Sequence, residues 1–257
     1  MGFLGDVWGG IKGALKGFGR GIAGIFGSLY NLGTSFFNRI LGFFSFLLDL
    51  IIAWPEKKLR LNVVILRQEN GSLLHPTRDL VAESDAAYEL AATVLKDSAN
   101  VRVVAHNTKD KIEQLEDRPP RAALYPRCGF GGILDMFGEA GWYYIVNRTY
   151  SALSVFTGYG TPLTVFIVMD VRGKEGCSMG PLANYITLDL DGLIKRNSSG
   201  ANVTDTTMVH EVGHACGLWH HDSRNNLMKD SSNERDDTKL TRFQRAFFRN
   251  SKHVTVL

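Results

Sequence analysis

His210 and His214 lie four residues apart, Glu211 follows the first, and Gly217 and His220 complete the pattern H-E-x-x-H-x-x-G-x-x-H within TTMVHEVGHACGLWHHD. On a helix, residues four apart share a face, so two imidazoles can converge on one ion. Glu211, one position on, can point toward the same ion's open coordination place. Three neutral imidazoles with one place left open form a tetrahedral zinc centre of the catalytic kind, whereas a structural site closes with four protein ligands. The chemistry this permits is attack by a metal-activated water, with a carboxylate to take its proton.

Such a site needs a helix that stops on time. Gly217 can take positive φ and turn the chain, whereas a continuing helix would carry His220 away from the ion. Met208, Val212, Ala215 and Trp219 offer an apolar flank that would bury the helix. Leu61–Leu66 and Val101–Ala105 read as strands. Residues 84–98 place Ala87, Leu90, Ala91, Val94 and Leu95 at helical spacing behind Ser84, a candidate cap. Leu163–Val171 is a continuous apolar run fit for a buried strand, and the alternation in Asn184–Leu190 predicts a strand nearer an edge. The charged run Lys109–Arg118 reads as a solvated face.

These residues resemble the metzincin zinc peptidases. That family carries a methionine turn beneath the metal, and Asn226-Leu227-Met228 is similar to it. The resemblance implies an α+β domain with a mixed twisted sheet, an active-site helix and a small C-terminal subdomain. It also implies one catalytic zinc ion held by His210, His214 and His220, Glu211 as general base, and Gly217 and Met228 as structural support. The closing helix would correspond to Leu240–Asn250, and the edge strand over the cleft to Asn184–Leu190. The implied activity is that of a zinc endopeptidase acting on peptide or protein substrates laid along that edge. His221 and Asp222 do not match the better-known subfamilies, and Asp230 stands where some relatives use a tyrosine ligand, so the subfamily stays open. Pro126-Arg127-Cys128-Gly129 resembles the cysteine switch of matrixin propeptides. It follows elements of the catalytic domain itself, which favours coincidence or a packing role for Cys128 over a latency switch.

Twenty-nine basic and 26 acidic residues, a net charge of +3, argue against a nucleic-acid partner. Three cysteines cannot build a disulfide framework; a Cys128–Cys177 bridge is open, and Cys216 reads as a buried apolar residue. Residues 1–58 form a second region, separate from a peptidase domain at 59–257. Gly9, Gly13, Gly17 and Gly21 make a smooth stripe beside Lys12, Lys16 and Arg20, and 36–54 is almost wholly apolar save Arg39 and Asp49. Two charges make that run a poor membrane span, and no signal-peptide plan is present, so an interfacial or hairpin helix fits better. Membrane or lipid contact through 1–54, and a membrane-associated or secreted location, are the resulting expectations, with a pair of hydrophobic helices packed onto the domain as the alternative. A membrane-active N-terminus served by the zinc domain, and a zinc-binding module without turnover, are the competing functions. Only the peptidase reading uses Glu211.

Overall fold

The β-branched run that predicts a strand at Leu61–Leu66 reaches further back than expected. In the computed structural model, β1 spans Lys57–Ile65. Its first residue is a lysine only 5% exposed, and it tolerates that position because a carboxylate meets it. The structure describes residues 29, 32–33, 43–106, 110–149, 159–196, 202–230 and 238–256. The Gly-rich stripe at Gly9–Gly21 lies outside them.

The carboxylate is Asp49, on helix α1 (Phe43–Ile51). Lys57 Nζ donates to Asp49 Oδ2 at 2.8 Å and to Ser45 Oγ at 3.0 Å, and Arg249 Nε donates to Asp49 Oδ1 at 2.7 Å. Asn250 Nδ2 adds a bond at 2.9 Å. Arg249 Nη1 also donates to the carbonyls of Ala99 and Asn100. Residues 43–58, the part of the 1–58 region that is mostly described, are thus tied by buried ion pairs to β1 and to Arg249. Burial lowers the Lys57 ammonium, opposed by its bond to Asp49.

Helix α2 (Leu80–Ala99) buries Ala87, Ala91, Val94 and Leu95, the face expected from their spacing. It starts a turn earlier than the sequence suggests, because Asp79 and not Ser84 is the cap: its carboxylate accepts from Ala82 N at 3.0 Å. Ser84 is buried inside the helix. Next come β2 (Val101–Val104) and β3 (Ile112–Gln114), the latter lying within the run read as a solvated face. Lys111 beside it ion-pairs with Asp85 and Glu89 of α2. Short helices α3 (Arg121–Leu124), α4 (Gly129–Met136) and α5 (Glu139–Asn147) lead to β4 (Leu163–Ile167), which is buried throughout as its composition predicts.

Strands β5 (Gly176–Ser178) and β6 (Tyr185–Leu188) complete a sheet whose order runs β2-β1-β4-β6-β5. The β1–β2, β1–β4 and β4–β6 pairs are parallel, and β5 runs antiparallel to β6. A mixed sheet is thus confirmed, but the edge expected at Asn184–Leu190 is not. That segment sits between β4 and β5, and the edge is β5. Alternation misled because Thr187, though polar, is buried, and Tyr185 packs against Tyr144 of α5 with ring centroids 4.9 Å apart.

The hairpin β7 (Ile194–Arg196) and β8 (Asn202–Thr204) precedes helix α6 (Thr207–Ala215), which packs against β5, β6 and α2. Helix α7 (Arg242–Arg249), opened by a Thr241–Gln244 capping box, falls within the expected Leu240–Asn250. Finally, β9 (Val254–Thr255) returns antiparallel to β1.

Between α7 and β9, Lys252 is 1% exposed, with Nζ donating to Pro181 O at 3.2 Å. Burial, reinforced by Arg148, pushes its ammonium down to about 7. The unfolded lysine keeps its proton up to its ordinary value, so between these limits the unfolded chain binds more protons and stability rises with pH. Lys252→Met should abolish that increment. Urea unfolding of both chains at pH 7 and near pH 10 checks this, and equal pH slopes would contradict it.

Candidate metal centre

Helix α6 carries the first two imidazoles, and its end is shaped by backbone bonds that place the third. Gly217, at φ 84°, donates its N–H to His214 O at 2.7 Å, while Leu218 N donates to Gly213 O at 2.9 Å. This pair of bonds is a Schellman ending, and only glycine takes that φ without strain. The chain then reverses and brings His220 back to the ring of His214. Trp219, expected on the buried flank of the helix, falls beyond this turn and is 84% exposed.

His214 Nε2 lies 3.0 Å from His210 Nε2 and 3.0 Å from His220 Nε2. Among the described residues these three form the one cluster whose ligand atoms converge closely enough for a metal ion. His210 Nδ1 bonds to Leu227 O and His214 Nδ1 to Leu218 O, each at 2.8 Å. A carbonyl only accepts, so each Nδ1 carries the hydrogen, and in the neutral ring Nε2 then presents a lone pair. Lone pairs facing each other at this distance repel, and a shared cation converts that repulsion into ligation. Nitrogen ligands on a tetrahedral zinc stand about 3.3 Å apart, so the donor set and its spacing fit that ion. Orienting carbonyls behind ligating imidazoles are the usual support of such a centre.

Beneath the helix lies the turn Asn226–Met228, the segment expected to be a methionine turn. Met228 is fully buried, and a Cβ on Gly213 would come within 2.5 Å of its sulfur, so the glycine lets the methionine close up under the ligands. The turn is held by Asn226, whose Oδ1 accepts from Met228 N at 2.9 Å and from Gln244 Nε2 at 3.2 Å. Asn226 Nδ2 donates to Gln244 Oε1 at 2.8 Å. The same Gln244 completes the capping box of α7, so that helix, the turn and the Leu227 carbonyl behind His210 form one hydrogen-bonded unit. Asn226→Ala should weaken zinc binding about 10–100-fold, as loss of an outer-shell partner does elsewhere. Competition with a chromogenic chelator measures this; wild-type affinity would show that the unit does not position His210.

Glu211 is 8% exposed and lines, with the three histidines, a cleft of about 770 Å³. Gly176 on β5 presses on it, since a Cβ there would meet Glu211 Cγ at 2.8 Å. No sequence signal marks Gly176, because the pressure comes from a strand paired across the fold. Asp230 is a second residue whose role the sequence did not reveal. It lines the same cleft, with Oδ1 3.4 Å from His220 Nε2. His221 is turned away to its own loop, where Nδ1 accepts from Ser223 N at 3.1 Å.

Cys128 and Cys177 are joined in a disulfide that ties the start of α4 to β5 at the cleft wall. The thiol needed for a cysteine switch is thereby consumed. Cys216 is buried, as expected, and takes no part in the disulfide.

No family model and no curated protein matches the chain. Among solved structures the chain is similar to the crystal structure of metalloproteinase-II from Bacteroides fragilis, at 14% identity and a TM-score of 0.39. The match covers 70% of this chain and 49% of that one, so the chain spans about half the length of that protein.

Proposed function

We propose that the chain is a zinc-dependent endopeptidase of the metzincin type. The observation that carries this reading is the facing of His210 and His214 through unprotonated Nε2 atoms, with His220 Nε2 beside them and Glu211 in the same cleft. His210, His214 and His220 hold the ion. When bound, zinc supplies Lewis acidity to a water and to the scissile carbonyl. The Glu211 carboxylate takes the proton from that water and passes it to the leaving nitrogen. Its near-complete burial and its contact with Gly176 hold it in place for both transfers.

Substrate lies extended along the free edge of β5, beside Gly173–Gly176, where main-chain pairing supplies affinity with little demand on sequence. Exposed Trp219 also lines the cleft and gives a side chain of the substrate an apolar surface. The zinc-loaded chain should cleave a random peptide library, lose this activity to a chelator and recover it with added zinc. A chain that holds zinc yet leaves every peptide and unfolded protein intact would favour the binding-module reading instead.

A further inference from the structure

Helix α1 is amphipathic in the reverse sense for a water-exposed surface helix. Its polar residues, Ser45 and Asp49, point into the protein, and Asp49 is completely buried. Leu47, Leu48 and Ile51 occupy the opposite side and are 44%, 54% and 74% exposed. The same surface continues through Ile52 and Trp54, both more than half exposed. Helix α7 adds exposed Phe243, whose ring meets that of Phe46 edge-on at 5.8 Å, and exposed Arg242 beside it. The buried ion pairs fix α1 against β1 and α7, so this face is held outward. Contiguous exposed apolar surface of this kind marks a contact with something that is not water.

Charge identifies the contact. Residues 1–60 carry seven cations and three carboxylates, Asp6, Asp49 and Glu56. Of these carboxylates Asp49 is buried and Glu56 is ion-paired with Lys96 and Arg102, while Arg242 stands exposed beside Phe243. Among the described residues, no helix is long and apolar enough to cross a membrane. An apolar face with an exposed arginine beside it, on a helix too short to span, suits the headgroup layer of an anionic bilayer.

We propose that Leu47, Leu48, Ile51, Ile52, Trp54 and Phe243 dock the domain onto an anionic lipid surface, with α1 lying in the plane of the headgroups. This docking is independent of the zinc chemistry. It would hold the domain at the membrane without any transmembrane segment among the described residues.

The test uses the full chain loaded with zinc and flotation with vesicles of phosphatidylcholine alone or mixed with phosphatidylglycerol. Wild type should float with the mixed vesicles and be partly released by salt. Leu48→Ser/Ile51→Ser should lower the bound fraction about tenfold or more at limiting lipid, with zinc content and urea midpoint unchanged. Phe243→Ser, on a different helix, should weaken binding in the same direction and guards against a folding defect in α1. Wild type that fails to float, or a double variant that floats as wild type does, would overturn the proposal. So would a lipid-free dimer, seen by sedimentation, that the double variant dissociates, because the face would then belong to a second copy of the chain.

Discussion

Glu211→Gln should retain one zinc per chain and lose peptide cleavage by about 10²–10⁴-fold, the usual contribution of a positioned proton acceptor. Glutamine keeps the shape that fits against Gly176 but cannot accept the proton of the attacking water. The three imidazoles and the carbonyls of Leu227 and Leu218 behind two of them are untouched, so metal affinity should hold. The loss should fall on kcat more than on KM, because Glu211 acts on the water and not on the peptide. Equal cleavage by both chains would remove Glu211 from the reaction. Loss of zinc along with activity would make it a support of the metal centre.

Asp49→Ala should destabilise the chain by about 3–5 kcal/mol, measured as a shift in denaturant midpoint. The carboxylate neutralises two buried cations, Lys57 at 5% and Arg249 at 0% exposure. Removing it leaves both uncompensated where water cannot reach them. Since the pairs join α1, β1 and α7, the change should also loosen α7 and the Gln244–Asn226 bonds that hold the turn at Met228. Zinc affinity should then fall modestly as well. An unchanged midpoint would mean that α1 is not docked in solution, and the lipid-facing surface would lose its rigid base.

The histidine cluster is legible in the sequence because its geometry is local. Four residues make a helical turn and glycine ends it, so the places of His210, His214 and His220 follow from spacing alone. Met228 follows within one short loop. What escaped notice depends on partners far along the chain. Arg249 lies 200 residues from Asp49, and neither is surrounded by any pattern that announces the other. Asp49 therefore reads as an interruption of an apolar run. The edge of the sheet was misplaced for a related reason. A strand covered on both faces can still alternate when a buried threonine such as Thr187 is accepted, and strand order is set by crossovers that no local window contains. Asp79 and Ser84 are equally good caps by type, and only the bond to Ala82 N distinguishes them.

Zinc stoichiometry across the histidine variants tests the metal centre most directly. Wild type should bind one ion, with an X-ray absorption spectrum requiring three imidazole nitrogens. His210→Ala, His214→Ala and His220→Ala should each lose tight binding, whereas His221→Ala should keep it. Wild type that takes up no zinc, or a His221→Ala chain that releases it while His220→Ala retains it, would contradict this centre.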